Sequence, residues 1–202
     1  MKIIEQTHQI IQKPNNPIQL IEQAGRTCYK SEDKITDDSA EIFAKKLVKL
    51  KHESVFEHVV VSVRFITNRG VTHELVRHRM CSFSQESTRY VKYNDMEFIR
   101  PVWWDKWTEK EQNIWIESMQ NAEKAYLSLI KAGSTAEKAR EVLPNSLKTE
   151  IVVTANLREW RHIFNLRCSK KAHPQVRQLM TNCCKEFKTF IPVLFDDIEL
   201  HD

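Results

Sequence analysis

The sequence predicts an α+β fold, an antiparallel sheet with flanking helices, from three observations. Residues 57–67 alternate: Val59, Val61, Val63 and Phe65 share one face, and His58, Ser62 and Arg64 share the other. That period-two pattern belongs to a half-buried strand. Several longer stretches carry apolar residues at helical spacing, so helices outnumber strands. Strands and helices do not alternate regularly, which disfavours a doubly wound parallel sheet. No repeat, low-complexity tract or linker breaks the chain, and 202 residues suit one domain spanning 1–202.

In chain order, MKIIEQTHQIIQ alternates like a strand and opens the sheet. Asn16-Pro17 caps a short helix from Pro17 to about Gly25, with Pro at the first helical position. Ile42, Phe43, Leu47 and Leu50 mark a helix over 39–50. The alternating strand follows, then a helix from Asn68 towards Arg77. Thr108 and Glu111 form a capping box for a long helix that Gly133 stops. Ser134 and Glu137 suggest a second box, opening a short helix that ends near Pro144. Residues 150–155 read as a strand, and Asn156 caps a helix to about Leu166. Pro174 starts the last helix, with Val176, Leu179, Cys183, Phe187 and Ile191 in register. The acidic tail, 196–202, is expected to fray.

Composition limits the function. Charged residues make up 29% and the net charge is +4, too mild for a dense nucleic-acid-binding face but suited to small anionic ligands. With three glycines, the chain has no glycine-rich phosphate loop, so any phosphate must be held by side chains and helix N-termini. Five cysteines without a CxxC pair point to free thiols in a reducing cytoplasm. No apolar run reaches membrane-spanning length.

The richest chemistry lies in Arg77–Tyr90, RHRMCSFSQESTRY. Arg77, Arg79 and Arg89 would repel one another without an anion among them, and each offers a planar fork of donors suited to phosphate. Residues 52–58, HESVFEH, hold two histidines and two acids, but the spacing is not HExxH and no metal is assigned. Arg140 closes a predicted helix and is by itself adequately explained as a solvated cation. Asn156 and Arg158 stand at a helix N-terminus, with His162 and Arg167 further along. Trp103, Trp104 and Trp107 are expected to pack on the long helix. Two other readings are a basic nucleic-acid-binding protein without catalysis, and a metal hydrolase built on His52, His58, His73 and His78.

RHRMCSFSQESTRY resembles the signature of the flavin-dependent thymidylate synthases: Arg-His-Arg, any seven residues, then Ser. Residues 25–29 (GRTCY), 52–58, 140–144 (REVLP) and 156–167 (NLREWRHIFNLR) resemble further family segments in the same order. The resemblance implies methylation of dUMP to dTMP, with 5,10-methylenetetrahydrofolate as carbon donor and FAD, reduced by NADPH, as hydride source. It also implies an α+β fold and a homotetramer whose active sites are shared between subunits. Ser54, Arg77, His78, Arg79, Gln85, Asn156, Arg158 and His162 match flavin-binding positions. Glu74, Arg77, Gln85, Glu86, Ser87, Thr88, Arg89, Arg140 and Arg167 match nucleotide-binding positions, and Arg167 matches the arginine that favours loss of the uracil N3 proton. Glu74, Glu86 and His162 depart from the commoner residues, which are glutamine, an apolar residue and asparagine. Ser87 reads as a phosphate ligand rather than a nucleophile, because no base is fixed beside it, and Cys81 reads as packing.

Overall fold

The computed structural model describes residues 1–201. Its elements are β1 (Lys2–Ile4), β2 (Thr7–Gln12), α1 (Pro17–Thr27), α2 (Ser39–Leu50), β3 (Val60–Asn68), α3 (Arg69–Leu75) and β4 (Ser82–Gln85). They continue as β5 (Glu97–Ile99), α4 (Glu109–Lys131), α5 (Ala136–Ala139), β6 (Lys148–Asn156), α6 (Leu157–Arg167), α7 (Pro174–Phe190) and α8 (Pro192–Phe195). The main sheet has the order β2-β3-β6-β4, and β1 pairs separately with β5. β3 and β6 run antiparallel: Leu157 N–H donates to Val59 O, and Arg69 N–H donates to Leu147 O. β1 and β5 are parallel, with Lys2 opposite Glu97.

The alternating strand forms over Val60–Asn68, while Glu57 and His58, expected in it, fall in a 3-10 turn over Glu53–His58. Val59, Val61, Val63 and Phe65 are buried, and Ser62 on the other face bonds Thr154 of β6 at 2.8 Å. Contacts divide the chain into two compact units. The first contains Met1–His8, Arg64–Arg77 and Phe83–Val152. The second contains Gln9–Val63, His78–Ser82 and the chain from Val153 onward. The cut between Arg77 and His78 falls inside the arginine-rich segment.

In the first unit, the Thr108–Glu111 box is reciprocal and opens α4. Gly133, at φ 92°, follows its end, a backbone conformation that glycine adopts without a Cβ penalty. Met96, Phe98, Met119, Tyr126, Ala139 and Leu147 form the core. Trp104 packs edge-on against Trp115 of α4, as expected for the tryptophan cluster.

In the second unit, α6 and α7 bury Trp160, Phe164, Leu179 and Phe187, and Phe195 of α8 joins the same aromatic cluster. Glu22 of α1 is buried and held by Arg26, at 3.1 and 2.9 Å, and by the Ser39 hydroxyl at 2.9 Å. This gives the GRTCY segment a structural task. Gly25 packs closely beside it: a Cβ there would come within 2.5 Å of the Phe43 ring, which would have to shift.

Several expectations are corrected. The opening strand is two strands in different sheets. Asn16 takes a left-handed backbone (φ 49°) and its side chain does not cap α1. The cap of α5 is Thr135, not Ser134, and no side-chain capping bond forms there. In α2, Ile42 and Leu50 are exposed, and the buried face is Ala40, Ala44 and Leu47. The tail does not fray over its described residues: Ile198 is buried, and Asp197 pairs with Arg161. β4 and β5 are not expected from the sequence, because at four and three residues they are too short to show a period-two pattern.

Candidate functional site

In the second unit, α6 carries Arg158, His162 and Arg167, and Asn156 stands at its start. Asn156 ends β6 in extended conformation, and its Oδ1 accepts from Glu159 N–H at 2.9 Å, fixing the helix start. A cleft of ≈ 470 Å³ opens here, lined by Asn156, Arg158, Glu159, His162 and Met80 among others. Arg158 and His162 are exposed on it.

The two arginines of this turn differ in kind. Arg158 pairs with Glu57, and both side chains are about half exposed, 52% and 46%. Exposed pairs of this kind contribute ~0–1 kcal/mol, so Arg158 can exchange Glu57 for a ligand at little cost. Arg161 is only 6% exposed. It donates to Glu53 at 3.0 Å, to Asp197 at 2.8 and 2.7 Å, and to the Leu194 carbonyl. It ties α6 to the C-terminal segment and is committed to structure.

His78 and Arg167, 89 residues apart, meet in this unit. Arg167 Nε donates to His78 Nε2 at 3.0 Å. The opposite nitrogen, Nδ1, faces Glu159 at 3.5 Å. Burial, then the Arg167 and His162 charges, push the His78 pKa down to about 4, so His78 is neutral at neutral pH. Burial raises the Glu159 pKa. His78, Glu159 and His162 each offer an atom within 4.8 Å of the others, but the His78 Nε2 lone pair is already taken by Arg167. Burial, with Glu159 nearby, pushes the Cys81 thiol up to about 12, which makes it a poor nucleophile. Arg79 is exposed. Ser54 is exposed on a second cleft of this unit, with His52, Cys28 and Tyr29.

In the first unit, β4 leads into the segment Gln85–Arg89. The Gln85 amide nitrogen donates to Thr72 at 3.0 Å and to Thr149 at 3.3 Å. Glu86 is anchored: its N–H donates to Glu150 O at 2.9 Å, and its carboxylate accepts from Tyr93 at 2.8 Å and faces Lys148 at 3.5 Å. The segment's acid is therefore spent on structure, and burial raises the Tyr93 pKa, keeping that phenol a donor. Ser87 Oγ accepts from Arg89 N–H at 3.2 Å, and Thr88 is buried. Arg89 pairs with Glu137 at 3.2 Å and Arg140 with Glu141 at 3.5 Å, all four exposed. Arg77 is exposed after the end of α3, where its N–H donates to Glu74 O at 3.4 Å. Among the described residues, Nη1 of Arg69 is the buried side-chain polar atom without a hydrogen-bond partner.

A sequence profile described as "Thymidylate synthase complementing protein" matches residues 9–193. The chain is 35% identical over 196 residues to a flavin-dependent thymidylate synthase of Geobacter sulfurreducens, covering 93% of this chain and 84% of that one. The chain belongs to the flavin-dependent thymidylate synthase family. A second member, from Mycobacterium avium, is 35% identical over 199 residues, covering 90% of this chain and 79% of its own. A UMP/dUMP methylase from Streptomyces cacaoi, solved with 5-Br dUMP, superposes with a TM-score of 0.85 over 97% of this chain and 96% of that one. At 21% identity that likeness shows the fold, which is the α+β fold the sequence predicts for the family.

The family segments thus divide between the units. Glu74, Arg77, Gln85, Glu86, Ser87, Thr88, Arg89 and Arg140 lie in the first; Ser54, His78, Arg79, Asn156, Arg158, His162 and Arg167 lie in the second. The residue pattern gave no signal for Glu159 as a neighbour of His78, since an acid in a first helical turn is already explained by the helix dipole. Nor did it signal Thr72 and Thr149, which reach Gln85 from 13 and 64 residues away.

Proposed function

We propose that the chain is a flavin-dependent thymidylate synthase, a methyltransferase that reductively methylates dUMP at C5 to give dTMP. The carbon donor in this reading is 5,10-methylenetetrahydrofolate, and NADPH is the reductant. The observation that carries it is the hydrogen bond between Arg167 and His78, which joins two family segments in one place. The nucleic-acid-binding reading has no comparable support.

The donor chemistry of the α6 cleft fits FAD. Arg158 and His162 line it, and Arg158 is held by an exposed pair that a ligand can replace. Arg79, His78 and Ser54 complete the proposed flavin set, with Arg77 and Gln85 serving both ligands. When bound, the flavin supplies the hydride that the methylation consumes.

The chain's own residues then bind and orient the nucleotide. Arg89 and Arg140 meet the dianionic phosphate with charge-assisted hydrogen bonds, releasing Glu137 and Glu141. Ser87 and Thr88 shape the turn that presents Arg89. Arg167 lies beside the uracil, where its positive charge favours loss of the N3 proton and raises electron density at C5. Glu86 takes part through its anchored backbone, and Glu74 stands beside Arg77.

The family profile spans residues of both units, in keeping with one functional domain. A homotetramer with shared sites is supported by exposed apolar side chains, including Met80, Ile42 and Leu50. A cytoplasmic location is supported by five free cysteines. No helix of the described residues is long and apolar enough to cross a membrane. The test is colour: the purified protein is expected to bind FAD, and NADPH is expected to bleach it without oxygen. A protein that cannot take up added FAD overturns the reading.

A further inference from the structure

The Gln85 side chain can be oriented by counting protons. Thr72 is fully buried, and its hydroxyl donates to Arg69 O at 2.9 Å. A threonine hydroxyl has one proton, so towards Gln85 the oxygen can only accept. The Gln85 atom 3.0 Å away must then be the amide nitrogen. The buried Thr149 hydroxyl, 3.3 Å from the same nitrogen, accepts the second proton of that NH2 group. Both donors of the amide are consumed. Its carbonyl oxygen has no hydrogen-bond partner among the described residues.

We infer that Thr72 is a positioning residue for substrate recognition: it fixes the Gln85 amide so that the carbonyl oxygen meets a hydrogen-bond donor of the nucleotide. The inference rests on the proposed nucleotide role of the Gln85–Arg89 segment. An amide free to rotate by half a turn would present NH2 and C=O about equally well and would discriminate poorly between donors and acceptors. A site that fixes one end rejects a ligand group of the wrong polarity, because the carbonyl, once the ligand covers it, is then left unpaired. The matching donor is a sugar hydroxyl or a ring N–H.

The test compares Thr72→Val, which keeps the shape and removes the hydroxyl, with Thr72→Ser, which keeps the hydroxyl. Each is loaded with FAD, and dUMP binding is measured by calorimetry. Thr72→Val is expected to weaken dUMP binding on the order of tenfold, with flavin absorbance unchanged, and Thr72→Ser is expected to bind like wild type. The same series with the 3′-deoxy analogue identifies the donor. If the valine penalty disappears, the partner is the sugar hydroxyl; if it persists, the partner is the ring N–H. Thr72→Val binding dUMP as wild type does, or Thr72→Ser failing to restore binding while flavin is retained, overturns the inference. A wild-type protein that binds no dUMP at all would instead overturn the proposed function.

Discussion

Arg167 reaches across to His78 and donates its Nε proton to the ring's Nε2 at 3.0 Å. A neutral imidazole has one acceptor nitrogen, so this bond places the ring proton on Nδ1, facing Glu159 at 3.5 Å. The guanidinium is thereby oriented by a residue of the Arg-His-Arg segment. His78→Phe keeps an aromatic ring and removes the acceptor. It is expected to lower the single-turnover rate of dUMP methylation by about tenfold to a hundredfold, as for loss of a group that positions an electrostatic stabiliser. Unchanged turnover would mean that Arg167 needs no such support.

The buried His78 makes stability depend on pH in a definite direction. Its pKa falls from 6.5 unfolded to about 4 folded. Between those values the unfolded chain binds a proton that the folded chain does not. The stabilisation is therefore complete above about pH 6.5 and is lost as pH falls towards 4, up to roughly 3 kcal/mol. Urea unfolding across this range is expected to show the loss in wild type and a flatter profile in His78→Gln. Equal slopes would place His78 in contact with water.

Arg161 and Arg158 are three residues apart and should behave oppositely. Arg161→Met leaves the Leu194 carbonyl and Asp197 without their partner. It is expected to destabilise the protein by ~1–3 kcal/mol in urea unfolding, because the buried Leu194 carbonyl loses its donor. Arg158→Met is expected to change stability by less than ~1 kcal/mol, as its pair with Glu57 is exposed, and to weaken FAD binding.

Cys81 lies within the signature, yet its thiol is pushed up to about 12. Cys81→Ser is expected to retain most activity. In wild type, iodoacetamide at pH 8 is expected to modify exposed Cys28 well before Cys81, by mass mapping of the digest. Early modification of Cys81 with loss of activity would make it a participant.

Local signals made much of this legible. The alternation within 57–67, the Thr108 box and the Asn156 cap each act within a few residues; the structure keeps the box and the cap, and keeps the alternation from Val60 onward. Local signals failed where tertiary partners decide. The first twelve residues alternate throughout, but β1 pairs with β5, near residue 98, a contact no local pattern reports. The acidic tail reads as solvated, yet buried Arg161 draws Asp197 in. Ile42 reads as part of a helical stripe but faces solvent, because α2 buries the face of Ala40, Ala44 and Leu47 instead. In the site, residue types announced the arginines. Their commitments did not show: which is exposed, which is paired, and which neighbour orients it depend on residues as distant as His78 and Arg167.

The central claim is that this chain activates the uracil of dUMP for methylation at C5, with Arg167 assisting. Its most direct test is release of tritium from C5-labelled dUMP by the FAD-loaded protein, supplied with NADPH and 5,10-methylenetetrahydrofolate. Folate-dependent release by wild type, cut by at least about a hundredfold in a folded, flavin-binding Arg167→Ala variant, is the expected result. No release from a flavin-loaded wild-type protein that binds dUMP would contradict the account.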